Sequence, residues 1–147
     1  MPAGADIVLD LNGHTINRGL TTYTQLGSVL YIDGGKLTLE DGAGGGTVTG
    51  VWTGEYQNWH PTEGNYDYGG GVIMKSGEFT LNGGSITGNY ADCAGGIYIL
   101  DGKFIMNGGS VTNNKADRTG GGIEIDNDGG HEINGGVISY NTVTGLN

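Results

Sequence analysis

A unit of about 25 residues recurs along this chain, and the recurrence restricts the fold more than any other feature of the sequence. Residues 81–87 have the sequence Leu-Asn-Gly-Gly-Ser-Ile-Thr, and residues 106–112 and 133–139 are close copies of it. The asparagine of this motif recurs at intervals of 25 and 27 residues. A unit this short cannot bury its own apolar side chains, so successive units are expected to stack on one another.

Each complete unit contains three short segments in which apolar and polar residues alternate, and Gly, Asn or Asp separates them. Alternation with a period of two predicts β-strands, and no window has a sustained helical period. The side chains expected to point inward are Leu30, Ile32, Val72, Met74, Ile97, Ile99, Ile123 and Ile125 on the first strand, Leu9, Leu11, Leu37, Leu39, Phe79, Leu81, Phe104, Met106, His131 and Ile133 on the second, and Ile16, Val48, Ile86, Val111 and Ile138 on the third.

These patterns predict an all-β fold, a right-handed single-stranded parallel β-helix or β-solenoid. It would have about five coils of three short strands each, with one long aromatic loop. Right-handed winding follows from the usual rule for crossovers between parallel strands. We expect residues 1–147 to form a single domain, and the incomplete first and last units predict a fragment of a longer protein.

Glycine accounts for 33 of the 147 residues, against about 7% in ordinary proteins, but without the three-residue period of collagen. The glycines punctuate the strands, and the Asn-Gly-Gly corners suit backbone with positive φ. Asn89, Asn114 and Asn141 align after the third strand of successive units. This spacing predicts a stacked ladder of side-chain amides.

The chain is acidic, with 6 basic and 16 acidic residues and a formal net charge of −10. Such a surface repels phosphate, so we expect no nucleic-acid partner. No segment is long and apolar enough to predict membrane insertion. Cys93 is the single cysteine, which excludes an intrachain disulfide, and we expect no cofactor or metal.

The segment Val-Leu-Asp-Leu-Asn-Gly-His-Thr-Ile at residues 8–16, followed by repeats such as residues 95–112, resembles the β-helix repeats of large bacterial secreted or cell-surface proteins. Those repeats belong to the pectate-lyase-like superfamily of folds. The resemblance implies an extracellular module, secreted or attached to the cell surface through a larger parent protein that is adhesin-like or carbohydrate-active. No catalytic motif of the family maps onto this chain, so no catalytic residue is carried over.

Residues 50–68 form an inserted aromatic-rich loop in place of a corner that elsewhere takes about eight residues. Aromatic rings beside acids and amides suit stacking on sugar faces, with a polysaccharide or host glycan as the expected ligand. Two further tyrosines align on the outward face of the first strand, in a column with Ile73 and Glu124. The candidate glycan-binding residues are Trp52, Tyr56, Trp59, His60, Tyr66, Tyr68, Tyr31 and Tyr98. The alternative is that the rings form a small core on the flank of the solenoid.

Three functions stay open at this point. The first is an adhesin-like spacer that binds glycans at the aromatic corner, and the second is a fragment of a polysaccharide lyase or glycoside hydrolase. The third is an ice-binding face formed by the outward Thr and Ser residues of the third strand. Acids or bases that would serve an enzyme are Asp33, Asp101, Asp126, Asp128, Asp92, Asp117 and Arg118.

The two ends of the stack carry strands with unpaired backbone edges, around residues 9–11 and 133–144. Such edges template further strand pairing unless they are covered or charged. We therefore expect end-to-end self-association that depends on protein concentration and salt. Residues 1–6 folded over the first coil would prevent it.

Overall fold

Strands dominate the computed structural model of the chain, which describes residues 1, 3–22, 24, 27–52 and 69–145. These residues contain fifteen strands and no helix. The strands are β1 (Asp6–Asp10), β2 (Thr15–Asn17), β3 (Leu30–Glu40), β4 (Thr47–Thr49), β5 (Val72–Leu81), β6 (Ser85–Thr87), β7 (Tyr90–Cys93), β8 (Ile97–Ile99), β9 (Lys103–Met106), β10 (Ser110–Thr112), β11 (Lys115–Thr119), β12 (Ile123–Ile125), β13 (Glu132–Ile133), β14 (Val137–Ser139) and β15 (Thr142–Val143).

Strands that lie one repeat apart pair in parallel and form three sheets. The first sheet follows the order β1-β3-β5-β8-β12, with β9 beside β5 and β13 beside β9. The second follows β14-β10-β6-β4-β2, and the third follows β15-β11-β7. In the second sheet Val111 pairs with Ile86 on one side and with Ile138 on the other, so these side chains share one face as the sequence predicts. The all-β, parallel arrangement is confirmed and is consistent with a β-solenoid.

The first and second predicted strands are not separate in the middle of the molecule. Each of β3 and β5 spans both of them, and their pairing continues past the corner with a register shift between Ile32 and Gly35. Such an irregularity bends a strand while the ladder on either side stays paired. The prediction of two short strands is therefore wrong for these two repeats and holds in the next repeat, where β8 and β9 are distinct.

The third sheet was not predicted, because the alternation in the sequence indicated only three short strands in each unit. Its strands β7, β11 and β15 place two small side chains inward, Ala91 and Ala116, both fully buried. Small residues lack the apolar bulk that marks the other strands, and this is why the alternation did not stand out. Each of the last three repeats thus has one more strand segment than the sequence predicted.

The interior consists of stacked columns of the predicted inward residues, and most of these are buried. Phe79 and Phe104 stack directly, with ring centroids 5.6 Å apart. The last repeat differs, because Ile138 is 45% exposed and Ile133 is 59% exposed. Their side chains have the preceding repeat on one side, and no further repeat covers them among the described residues.

Paired glycines mark the places where the backbones of neighbouring repeats come closest. A Cβ on Gly70 would lie 1.7 Å from the carbonyl oxygen of Gly95, and a Cβ on Gly95 would lie 2.3 Å from that of Lys115. No side chain fits at either position. The recurrence of glycine therefore reflects tight stacking between repeats.

The predicted amide ladder is confirmed. Asn89 Nδ2 donates to Asn114 Oδ1 at 3.1 Å, and Asn114 Nδ2 donates to Asn141 Oδ1 at 3.1 Å. Asn89 and Asn114 are each 1% exposed, so this ladder is internal where those two residues lie. A second ladder of Asn82, Asn107 and Asn134 lies on the exposed surface, with bonds of 3.0 and 2.9 Å, and the sequence did not predict it as a ladder.

The first residues of the chain extend the first sheet. The Met1 amino group donates to the carbonyl oxygen of Tyr31 at 2.5 Å, and the Asp33 amide donates to the Met1 carbonyl oxygen at 2.9 Å. Met1 thereby lies beside the first half of β3, while β1 lies beside its second half. Met1 and β1 therefore pair with β3 at the edge of the first sheet.

Candidate functional site

The inserted aromatic segment is attached to the stacked repeats at two neighbouring points. On the leading side Trp52 forms a parallel bridge with Tyr90, the first residue of β7. On the returning side the Gly69 amide donates to the carbonyl oxygen of Cys93, the last residue of β7, at 3.0 Å. The segment thus leaves and rejoins the stack along a single four-residue strand. We call the surface around Trp52, Tyr90 and Gly69 the Trp52 corner.

Trp52 is held in a defined orientation while keeping part of its ring surface accessible. It is 39% exposed, and its ring meets that of Tyr90 edge to face with centroids 5.5 Å apart. Tyr90 is itself fixed, because its hydroxyl lies 2.8 Å from both carboxylate oxygens of Asp117. The ammonium of Lys115 lies 4.2 Å from the centroid of the same tyrosine ring. An edge-to-face pair and a cation–π contact together stabilise this orientation.

The column that contains Tyr31 has the predicted register but not the predicted exposure. Tyr31 aligns with Ile73, which aligns with Tyr98, and Tyr31 is 40% exposed. Tyr98 is only 2% exposed and packs with Ile73 and Ala94, so the prediction that its ring is available to a ligand is wrong. Its hydroxyl donates to Asp126 Oδ2.

The burial of this column has a definite cause. The chain covers the outer face of the first sheet where it returns from the insertion, and a Cβ on Gly69 would lie 2.1 Å from Ile73 Cγ1. Ala94, fully buried, closes the face from the next repeat. Only glycine, here with φ of 86°, allows the chain to pass so close to the isoleucine.

The other candidate residues of the insertion, Tyr56, Trp59, His60, Tyr66 and Tyr68, lie outside the described residues. Their contribution to glycan recognition stays a prediction from the sequence.

Several acids considered for catalysis serve the packing of the repeats. Asp117 is 3% exposed and accepts hydrogen bonds from Tyr90 and from Thr144 Oγ1, the latter at 2.8 Å. Arg118 Nε donates to Asp92 Oδ1 at 2.9 Å. Across the described ranges, no group of three or more His, Cys, Asp or Glu side chains is arranged to hold a metal ion.

The outward hydroxyls of the second sheet bond to each other between repeats. Thr47 Oγ1 donates to Thr15 Oγ1 at 2.9 Å, and Ser110 Oγ donates to Ser85 Oγ at 2.8 Å. A shallow groove of about 420 Å³ runs beside this row, with a glycine-rich floor. The hydrogen bonds between hydroxyls of neighbouring repeats set the spacing of the hydroxyls to that of the repeats.

His131 occupies the inward column predicted for it and is hydrogen bonded through both ring nitrogens. The Phe104 amide donates to Nδ1 at 3.1 Å, so Nε2 carries the proton and donates to the carbonyl oxygen of Asn127 at 3.1 Å. The imidazole therefore closes the end of the core and is not displayed as a ligand.

Cys93 is expected to react slowly in the folded chain. Burial raises the pKa of its thiol, and the neighbouring carboxylates of Asp92 and Glu124 raise it further, which outweighs the lowering by the hydrogen bond with Thr119. A raised pKa leaves less thiolate at a given pH, and the thiolate is the nucleophile.

We expect alkylation of Cys93 by iodoacetamide at pH 8 to be several-fold slower in the folded chain than in the same chain unfolded in urea. Equal rates in the two states would contradict the protection of this thiol.

Comparison with protein-family models finds no match, and no curated protein or solved structure matches the chain significantly. Among the described residues no helix is long and apolar enough to cross a membrane. The class of protein defined so far is therefore an all-β repeat protein with parallel sheets and an aromatic corner.

Proposed function

We propose that this chain is a right-handed parallel β-helix module of a large bacterial secreted or cell-surface protein, which spaces and presents a glycan-binding surface at the Trp52 corner. Parallel pairing between repeats supports the β-helix, and the strong preference for right-handed crossovers supports its hand. The resemblance of residues 8–16 and 95–112 to bacterial surface repeats supports the extracellular setting.

The observation that carries the proposal is the orientation of Trp52. Its ring is partly exposed although it is packed edge to face on a tyrosine that is itself hydrogen bonded and covered by a lysine. A ring fixed before binding loses little conformational entropy when a sugar stacks on it. The insertion that begins next to it carries Trp59, Tyr66 and several acids and amides in its sequence, which suits contacts with sugar hydroxyls.

Glycan-array binding by the purified chain, compared with Trp52→Ala and Trp59→Ala variants, tests this proposal. Because stacking aromatics dominate such sites, each substitution should weaken binding to the recognised glycan by about tenfold or more. Tyr140→Ala is the matched control, since Tyr140 is 81% exposed and lies in the last repeat, far along the stack from Trp52. This variant should bind as the unchanged chain does.

Two results would contradict the proposal. One is the absence of binding to any bacterial, plant or host glycan by a chain with a cooperative thermal transition. The other is a loss of binding in Tyr140→Ala equal to that in Trp52→Ala. Incubation of the recognised polysaccharide with the chain, followed by analysis for cleavage products, separates a binding module from the lyase or hydrolase alternative.

A further inference from the structure

Lys115 brings an ammonium group to the Trp52 corner. Its Nζ lies 4.2 Å from the centroid of the Tyr90 ring. Among the described residues this ammonium has no carboxylate and no hydrogen-bond acceptor as a partner, although it carries three N–H donors. The contact with the ring uses one side of the ammonium, so its donors are left for a group from outside the described chain.

A shortage of acids does not explain this unpaired ammonium, because the chain has 16 acidic residues and 6 basic ones. Four other basic side chains each form an ion pair with a carboxylate, at distances between 2.6 and 3.5 Å: Lys36 with Glu78, Lys75 with Asp33, Lys103 with Glu132, and Arg118 with Asp92. Lys115 differs from these four and lies beside the rings of the candidate site. We therefore consider a ligand as the source of the missing negative charge.

Trp52, Tyr90 and Lys115 are consecutive neighbours in one column that continues the third sheet. Trp52 forms a bridge with Tyr90, and Tyr90 aligns with Lys115 in the next repeat. Neighbouring strands lie about 4.8 Å apart, which is close to the length that one pyranose residue contributes to an extended glycan. A glycan that runs along this column can therefore stack one sugar on Trp52 and bring an acidic group of a nearby sugar to Lys115.

The ring between the two contact points is fixed. Tyr90 is buried, and its hydroxyl lies 2.8 Å from both carboxylate oxygens of the buried Asp117. Trp52 on one side of it is 39% exposed, and Lys115 on the other side is partly exposed. Tyr90 thus sets the separation between the aromatic surface and the positive charge that a ligand would meet.

We propose that the Trp52 corner selects a glycan with one carboxylate-bearing sugar, a sialic acid or a uronic acid, whose carboxylate accepts hydrogen bonds from Lys115 while a neighbouring sugar stacks on Trp52. The inference rests on the proposed glycan binding and adds the class of ligand. A carboxylate makes a stronger hydrogen bond with an ammonium than a sugar hydroxyl does. It also compensates the charge when the ligand displaces water, whereas a neutral sugar would cover an ammonium that has no partner.

The charge of the chain restricts how many acidic sugars the ligand carries. The formal net charge is −10, so the surface repels a polyanion. Arg118, a second basic residue of the third sheet, already donates to Asp92 at 2.9 Å. A polyuronate would bring its further carboxylates against this acidic surface, while one acidic sugar among neutral ones satisfies Lys115 without that repulsion.

An array in which each neutral glycan is printed beside its singly sialylated form and its form with one glucuronic acid tests the inference. We expect the unchanged chain to bind a singly acidic form about tenfold more tightly than its neutral counterpart. The preference between the sialylated and the glucuronic acid forms identifies the source of the carboxylate. Oligogalacturonates, printed on the same array, should bind more weakly than the singly acidic glycans, most clearly at low salt.

Substitutions at Lys115 separate its charge from the stacking on Trp52. Lys115→Gln should weaken binding of the singly acidic glycan about tenfold and that of the neutral form less than about twofold, since only the charged contact is lost. Lys115→Arg keeps the charge and should keep the preference, whereas Trp52→Ala should weaken binding of both forms. Lys75→Gln is the matched control, because it changes the net charge equally but lies on the first sheet, and it should bind as the unchanged chain does.

The failure of this inference can be distinguished from the failure of glycan binding itself. Equal affinity of the unchanged chain for neutral and singly acidic forms overturns the inference and leaves glycan binding in place. A preference that Lys115→Gln retains, an equal loss for both forms in that variant, or tighter binding of oligogalacturonates overturns it as well. Absence of binding to every glycan contradicts the proposed function, and the inference fails with it.

Discussion

Replacing Ile99 with aspartate is expected to lower the free energy of unfolding by more than about 4 kcal/mol, enough to leave little folded protein at room temperature. Ile99 is fully buried, and its register neighbours are Met74 on one side and Ile125 on the other. The substitution removes about 2–3 kcal/mol of apolar burial and places a carboxylate between two apolar layers without a partner.

Leu100→Asp is the matched control, because it introduces the same side chain one residue away. Leu100 is 45% exposed, so its replacement should change the free energy of unfolding by less than about 0.5 kcal/mol. Thermal melting followed by circular dichroism distinguishes the two variants, since each kcal/mol corresponds to about 2–4 °C at this size. If Ile99→Asp melted within two or three degrees of Leu100→Asp, a buried, inward-facing Ile99 would be refuted.

The inward columns and the internal amide ladder were predictable because both follow from the recurrence of the same motif in successive repeats. Once Asn82 and Asn107 align, every residue between them acquires a neighbour one repeat away, and stacking turns that alignment into contact. Ile86, Val111 and Ile138 then share a face, and Asn89 and Asn114 meet amide to amide. The spacing of the repeated motif therefore predicts most of the pairing register between strands.

The third sheet was missed because its inward residues are alanines, which an alternation of large apolar side chains does not mark. A signal was nevertheless present in the sequence. Residues 89–92 read Asn-Tyr-Ala-Asp and residues 114–117 read Asn-Lys-Ala-Asp, so the alanines lie one repeat apart. Recurrence of a small residue at the repeat interval would have indicated a buried strand with a close neighbour.

The candidate site was predictable only in part. Alternation assigns Tyr31 and Tyr98 to the outer face of a strand, and the register confirms this, but alternation does not show whether another segment covers that face. Gly69 and Ala94 cover it at Ile73 and Tyr98, while Tyr31 stays 40% exposed.

Replacing Asn114 with alanine is expected to lower the free energy of unfolding by about 2–4 kcal/mol. The Asn114 side chain is 1% exposed, and its Oδ1 accepts from the Asn89 backbone amide at 3.1 Å. Its Nδ2 donates to the Ile86 carbonyl oxygen at 2.9 Å and to Asn141 Oδ1 at 3.1 Å. Alanine makes none of these hydrogen bonds. Water does not readily reach the buried groups that would lose the Asn114 side chain as their partner.

Asn107→Ala provides the comparison, since it breaks a ladder of the same chemistry on the surface. Asn107 Nδ2 donates to Asn82 Oδ1 at 3.0 Å and its Oδ1 accepts from Asn134 at 2.9 Å, but all three side chains are exposed and water can take over these bonds. The cost should therefore be less than about 1 kcal/mol. Urea denaturation of both variants, analysed with a common m value, measures the difference. Equal losses would mean that burial does not set the strength of the amide ladder, and that Asn114 contributes to stability no more than a surface residue does.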